Sequence, residues 1–129
     1  MRTLRNSSQE VIAEVTAQPK LVLAVPLVIT TVADTLLLQE AIDRELEANG
    51  TRRVLIDARR ANLSTREMSE SMWAWVSKSP FFDRIAVVNQ STVLSVAASM
   101  KATAIGTKRF KVFQEFAAAA RWLLLLPRG

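Results

Sequence analysis

The 129-residue sequence contains no cysteine, no histidine and no tyrosine. The first absence removes disulfides and thiol nucleophiles, and the second removes imidazole bases. Together they remove the usual ligand set of a zinc site, so no metal and no cofactor is expected. Any catalysis would rest on Asp, Glu, Lys, Ser or Thr, and no nucleophile–base pair stands out among them. The chain is therefore expected not to be an enzyme, and no residue is assigned as catalytic. Glycine (3) and proline (4) are scarce, which leaves little linker material. The longest apolar tract, residues 21–29, contains Pro26 and is far too short to span a bilayer. Met1–Ser8 carries Arg2 and Arg5 with no apolar stretch directly behind them, so it does not read as a signal peptide. A cytoplasmic protein without a transmembrane segment is the expectation.

Half of the residues are hydrophobic and 22% are charged, the balance of an ordinary globular chain. The net charge of +5 permits an anionic partner, although charge of this size speaks first to solubility. Residues 1–8 are expected to be a flexible amino-terminal arm and 9–129 a single domain. Within it, residues 52–126 alternate short apolar runs with amphipathic ones three times. Arg53–Asp57 leads into Ser64–Ser79, Arg84–Asn89 into Thr92–Ile105, and Arg109–Phe113 into Glu115–Leu126. Strand–helix alternation of this kind builds parallel sheets.

Ahead of that region, residues 9–15 read as a first strand and 20–30 as a second, where Pro26 requires an edge, a bulge or a break. In residues 35–48, Leu38, Ile42 and Leu46 share one helical stripe, with Asp43, Arg44, Glu45 and Glu47 on the wet side. Asn49-Gly50 supplies the C-cap. Ser64-Thr65-Arg66-Glu67 has the form of a capping box, and the helix behind it offers Met68, Met72, Trp75 and Val76 on one face. The third helix presents Val93, Val96, Ala97, Met100 and Ala104 as its face, and Gly106 ends it. In the last strand Phe110 and Val112 oppose Arg109, Lys111 and Phe113.

Three phrases carry a family resemblance: Arg53-Val54-Leu55-Ile56-Asp57-Ala58-Arg59, Arg84-Ile85-Ala86-Val87-Val88, and Phe110-Lys111-Val112-Phe113 followed by Ala118-Ala119-Ala120-Arg121-Trp122-Leu123. The chain resembles the SpoIIAA-like branch of the STAS domain family over residues 11–124. The resemblance implies an α/β fold, a mixed and mostly parallel sheet of four to five strands with about four helices largely on one side. It also implies a non-enzymatic binding or regulatory module acting through protein–protein contact. In anti-sigma antagonists of that family, a serine in an Asp-Ser-Ser-Gly turn at a helix N-terminus is phosphorylated. The turn here reads Ala61-Asn62-Leu63-Ser64-Thr65-Arg66-Glu67, without the flanking Asp and Gly. Other relatives of the fold bind lipids or nucleotides.

The candidate sites follow. Ser64 is a candidate phosphoacceptor, since phosphate is favoured at a helix N-terminus, and it is equally an ordinary N-cap. Arg59, Arg60 and Arg66 flank the same turn, after a strand's carboxyl end, where an anion site or simple solvated loop arginines are both consistent. Trp73, Phe81 and Phe82 are candidates to rim an apolar pocket or a partner surface, against ordinary packing under the loop. The alternative function is thus a small-molecule carrier for an apolar or phosphate-bearing ligand, a lipid or a nucleotide, near the second helix and the Arg59–Arg66 turn. Lys101, Lys108, Arg109 and Lys111 form a second basic group, read as solvated surface, and no nucleic acid is expected. Asp57 ends a central strand without a titratable partner in sequence reach and reads as structural. On the last helix Phe116, Ala119, Ala120 and Leu123 should meet the sheet. Ala118, Trp122 and Leu125 point the other way, toward an expected homodimer or partner interface.

Overall fold

The computed structural model describes residues 2–61 and 65–125. The chain starts as a hairpin of β1 (Arg2–Arg5) and β2 (Val11–Ala17), closed by a turn in which Asn6 Oδ1 accepts from the amides of Ser8 and Glu10. β3 (Val22–Pro26) pairs antiparallel with β2, and from there the chain changes character. α1 (Val32–Asn49) leads to β4 (Arg53–Asp57), α2 (Arg66–Lys78) to β5 (Arg84–Val88), and α3 (Thr92–Ile105) to β6 (Phe110–Phe113). Each of these strands lies parallel to the one before it. The sheet order is therefore the chain order, β1 to β6, and α4 (Phe116–Leu124) closes the described chain.

Among the described residues the fold is α/β with a mixed sheet and four helices, as expected. The sheet holds six strands rather than four to five. The additional strand is β1, built from residues assigned on sequence to the flexible arm. Three polar or charged residues around one leucine give no strand signal, and only pairing with β2 orders them.

Right-handed crossovers taken repeatedly in one direction place every connecting helix on one face. Val54, Ile56 and Ile85 accordingly lie beneath Leu38, Ile42 and Leu46 of α1 and Met68, Trp75 and Val76 of α2. Strand alternation turns Leu55, Ala86 and Val88 to the other face, where Ala119 and Leu123 cover them. Pro26 is tolerated because its strand's pairing with β4 already ends at Ala24–Ile56. Gly50, at φ 66°, supplies the left-handed cap, with its amide donating to the Leu46 carbonyl at 3.0 Å.

Several local expectations fail. The α3 face containing Val93, Val96 and Met100 is not buried: these are 78%, 54% and 67% exposed, and Ala102 is the helix's one buried residue. α3 has apolar residues all round, so its pattern does not select a packing side, and the small side of the helix meets the sheet edge instead. α2 begins one residue later than expected. Thr65, not Ser64, is its N-cap, with Oγ1 accepting from the Met68 amide at 3.3 Å. Adjacent Ser and Thr are comparable caps, so local sequence does not separate them. Ser64 itself lies outside the described residues.

Arg109 is also not solvated surface. Its Nε donates to the Val76 carbonyl at 2.8 Å, and one terminal nitrogen donates to Ser79 and Phe82 at 2.7 and 2.9 Å. The guanidinium stacks 4.4 Å from the centre of the Phe82 ring, and burial pushes its pKa down. Arg109→Ala is expected to cost about 2–3 kcal/mol, because it orphans three carbonyls of the α2–β5 corner. Arg109→Lys should not restore the loss, since an ammonium lacks the planar fork. Urea denaturation checks this, with Lys111→Ala on exposed β6 surface shifting stability by less than about 0.5 kcal/mol.

Candidate functional site

The space between α2 and α3 is not filled. α2 leans on α1, while α3 lies against β6 at the sheet edge. Between them the sheet surface is left open as an apolar cavity of about 490 Å³. Its floor is Ile56, Ile85, Val87 and Phe110, and its walls include Met68, Met72, Trp73 and Val76 from α2 and Leu94 from α3. The mouth is set by residues that follow the carboxyl ends of β4 and β5: Ala58, Arg59, Ala61, Asn89, Gln90 and Ser91. That is where open α/β sheets place their ligands.

Sequence alternation makes this floor intelligible. Ile85 and Val87 pair with Phe110 and Val112 of β6, so these residues share a face. Phe110 stacks against Trp73 with centroids 4.7 Å apart, which holds the indole at the cavity wall. Of the aromatics expected to rim a pocket, Trp73 does. Phe82 is fully buried beside Trp75, with ring centres 5.1 Å apart, and Phe81 is half-buried on the far side of α2.

The wall formed by α2 is held in place by a polar seam that the sequence reading did not find. Thr35 Oγ1 donates to Ser71 Oγ at 3.1 Å, and Gln39 Nε2 donates to the Ser71 carbonyl at 3.2 Å. One turn further, the indole N–H of Trp75 and the Ser79 hydroxyl both donate to Asp43. Asp43 was expected on the wet side of α1, yet it faces α2. Thr35, Gln39 and Asp43 recur every four residues, and that spacing is the signal that could have exposed the seam.

At the mouth, Arg59 is bound within the chain. Its Nε and a terminal nitrogen grip the two Asp57 oxygens at 2.8 and 2.7 Å, and its guanidinium lies 5.7 Å from the Phe116 ring centre. Asp57 was expected to have no titratable partner in sequence reach, yet Arg59 pairs with it from two residues on. Arg66 is strongly exposed and pairs with Glu70 at 3.1 Å. Arg60 is exposed and does not line the cavity. The structure thus brings Arg59 and Trp73 to one cavity and leaves Arg60 and Arg66 outside it. Among the described residues no cluster of acids could hold a metal ion.

On α4, Ala118 is half-buried and Leu125 is 58% exposed. Trp122 is partly covered by its own chain, 5.8 Å from Phe113 and beneath Arg84 at 5.2 Å.

The fold is that of a known group. A crystal structure of a DUF3478-family protein with a SpoIIAA-like fold, from Shewanella loihica PV-4, superposes with a TM-score of 0.62. The match covers 86% of this chain and 91% of that one at 16% identity. The protein is therefore an α/β domain of SpoIIAA-like fold. No protein-family model and no curated sequence matches it. Among the described residues no helix is long and apolar enough to cross a membrane.

Two carboxylates titrate in opposite senses. Burial raises the Asp43 pKa above 3.8 despite its two hydrogen-bond donors. Its contribution to stability is present below 3.8 and lost as the pH rises through the raised folded value. Arg59 lowers the Asp57 pKa below 3.8, so that contribution is present above 3.8 and lost as the pH falls. Denaturant midpoints measured against pH should show the wild type losing ground to Asp43→Asn as pH rises. Against Asp57→Asn the wild type should gain ground over the same range.

Proposed function

We propose that the protein is a non-catalytic carrier that holds a small apolar molecule in the cavity between α2 and α3. The observation that carries this reading is the cavity itself. At about 490 Å³ it falls within the range of small-molecule sites, and its lining is dominated by aliphatic, methionine and aromatic side chains. A fold completing its core would fill such a volume, because interiors pack as densely as organic crystals. The helix whose Leu94 lines the cavity also exposes Val93, Val96 and Met100 on another face, and exposed apolar surface of this kind marks an interaction site.

An environment-sensitive apolar dye tests it. N-phenyl-1-naphthylamine should bind saturably with a Kd on the order of micromolar. Val87→Trp, which puts an indole on the cavity floor, should weaken binding by at least about tenfold while the circular dichroism spectrum is kept. Binding that Val87→Trp leaves unaltered would remove the cavity from the function.

A second reading, self-association through α4, rests on one observation. Leu124 and Leu125 are 44% and 58% exposed at the end of a helix whose other apolar side chains are largely packed. Light scattering across a concentration series should then report a dimer that Leu125→Glu dissociates. Trp122→Glu is the poorer probe, because Trp122 also packs on Phe113. A monomer at every concentration rules this reading out.

A further inference from the structure

We propose that the cavity selects an uncharged ligand, an apolar chain or ring system ending in a neutral hydroxyl, carbonyl or amide, over a fatty carboxylate or a phosphate ester. The inference deepens the carrier reading and rests on it.

The argument is one of charge. Of the described side chains lining the cavity, Arg59 is the one that ionises. Its fork already meets both oxygens of Asp57, and the Arg59 amide donates to the same carboxylate at 3.2 Å. The pair presents no net charge to the mouth. Of the other arginines of the turn, Arg60 lies outside the lining, where its charge acts on Asp57, and Arg66 pairs with Glu70. An anion entering the cavity would therefore be desolvated without a counter-charge. Taking Arg59 for itself would strand Asp57 instead, and an unpaired charge away from water is strongly disfavoured.

The first turn of α3 borders the mouth and could in principle attract an anion. Its Leu94 amide is already taken by Ser91 Oγ at 3.2 Å, and the Ser91 amide by Asn89 Oδ1 at 2.9 Å. What the mouth offers beyond those bonds is the hydrogen-bonding inventory of neutral groups. Asn89 and Gln90 carry carboxamides there, and the Ser91 hydroxyl retains a proton to donate. Such groups match a hydroxyl or carbonyl head on an apolar body.

The test displaces N-phenyl-1-naphthylamine from the full chain with 1-decanol and with decanoate. Both are used below their aggregation limits at about pH 8, where the carboxylate is ionised. Decanol is expected to compete at least about tenfold better than decanoate. Decanoate competing as well as decanol or better, with an advantage that Arg59→Gln removes, overturns the proposal and makes Arg59 the clamp of an anionic head. Decanol failing to displace a dye that Val87→Trp does exclude overturns it as well, while the carrier reading stands. A dye that never binds brings down the carrier reading and this inference together.

Discussion

Arginines at the start of β4 and β5 and just ahead of β6 hold the helices to the sheet. Arg53 donates to the Leu123 and Leu125 carbonyls, and Arg84 donates to the Trp122 carbonyl at 2.9 Å, so the carboxyl end of α4 is tied to β4 and β5. Arg109 does the same at the end of α2 and the corner that follows it. Helix C-termini carry unsatisfied carbonyls and the negative end of the dipole, so a guanidinium there meets both needs. The two layers of helices on either side of the sheet are thus clamped from within its plane. Three of the chain's seventeen lysines and arginines are committed to the fold in this way.

The cavity follows from how the remaining helices are held. α2 is fastened on one flank by the Thr35–Gln39–Asp43 seam and at its end by Arg109, so it cannot roll toward α3 without breaking directional bonds. Among the described residues α3 has no comparable seam. It buries one alanine of its fourteen residues and leaves its valines and Met100 in solvent. A well-anchored wall on one side and a lightly packed helix on the other leave space over Ile85 and Val87. The apolar lining is what the sheet would have buried had α3 settled closer.

The parts legible in sequence are those where one periodicity dominates. Val54–Ile56 and Ile85–Val88 read as central strands because both of their faces are covered, and the alternation of β6 correctly put Phe110 opposite Phe113. The α4 stripe of Phe116, Ala119, Ala120 and Leu123 packs on the sheet as its wheel demands. Where the pattern was degenerate the reading failed. β1 is a polar edge strand ordered by its neighbour, and α3 is apolar on every side. The choice between Ser64 and Thr65 as cap lies within the noise of local preference. The polar seam and the Arg109 clamp were invisible for a different reason: each depends on residues some thirty positions apart meeting in space, and polar side chains on a helix look solvated until a partner is known.

The same commitment of charge bears on the site. Had the turn after β4 carried a free arginine cluster, the mouth would be an anion trap by geometry alone, at the carboxyl end of a parallel strand beside a helix N-terminus. Asp57 prevents this. It sits in register with Val88 at the ends of two central strands, and its partner Arg59 is two residues away on the same turn. That spacing pre-forms the pair before any ligand arrives. The position where the fold would most readily accept an anion is occupied by the chain's own carboxylate, and the surface left over is apolar with neutral donors at its edge. Selectivity at this site then derives from what the fold has already neutralised.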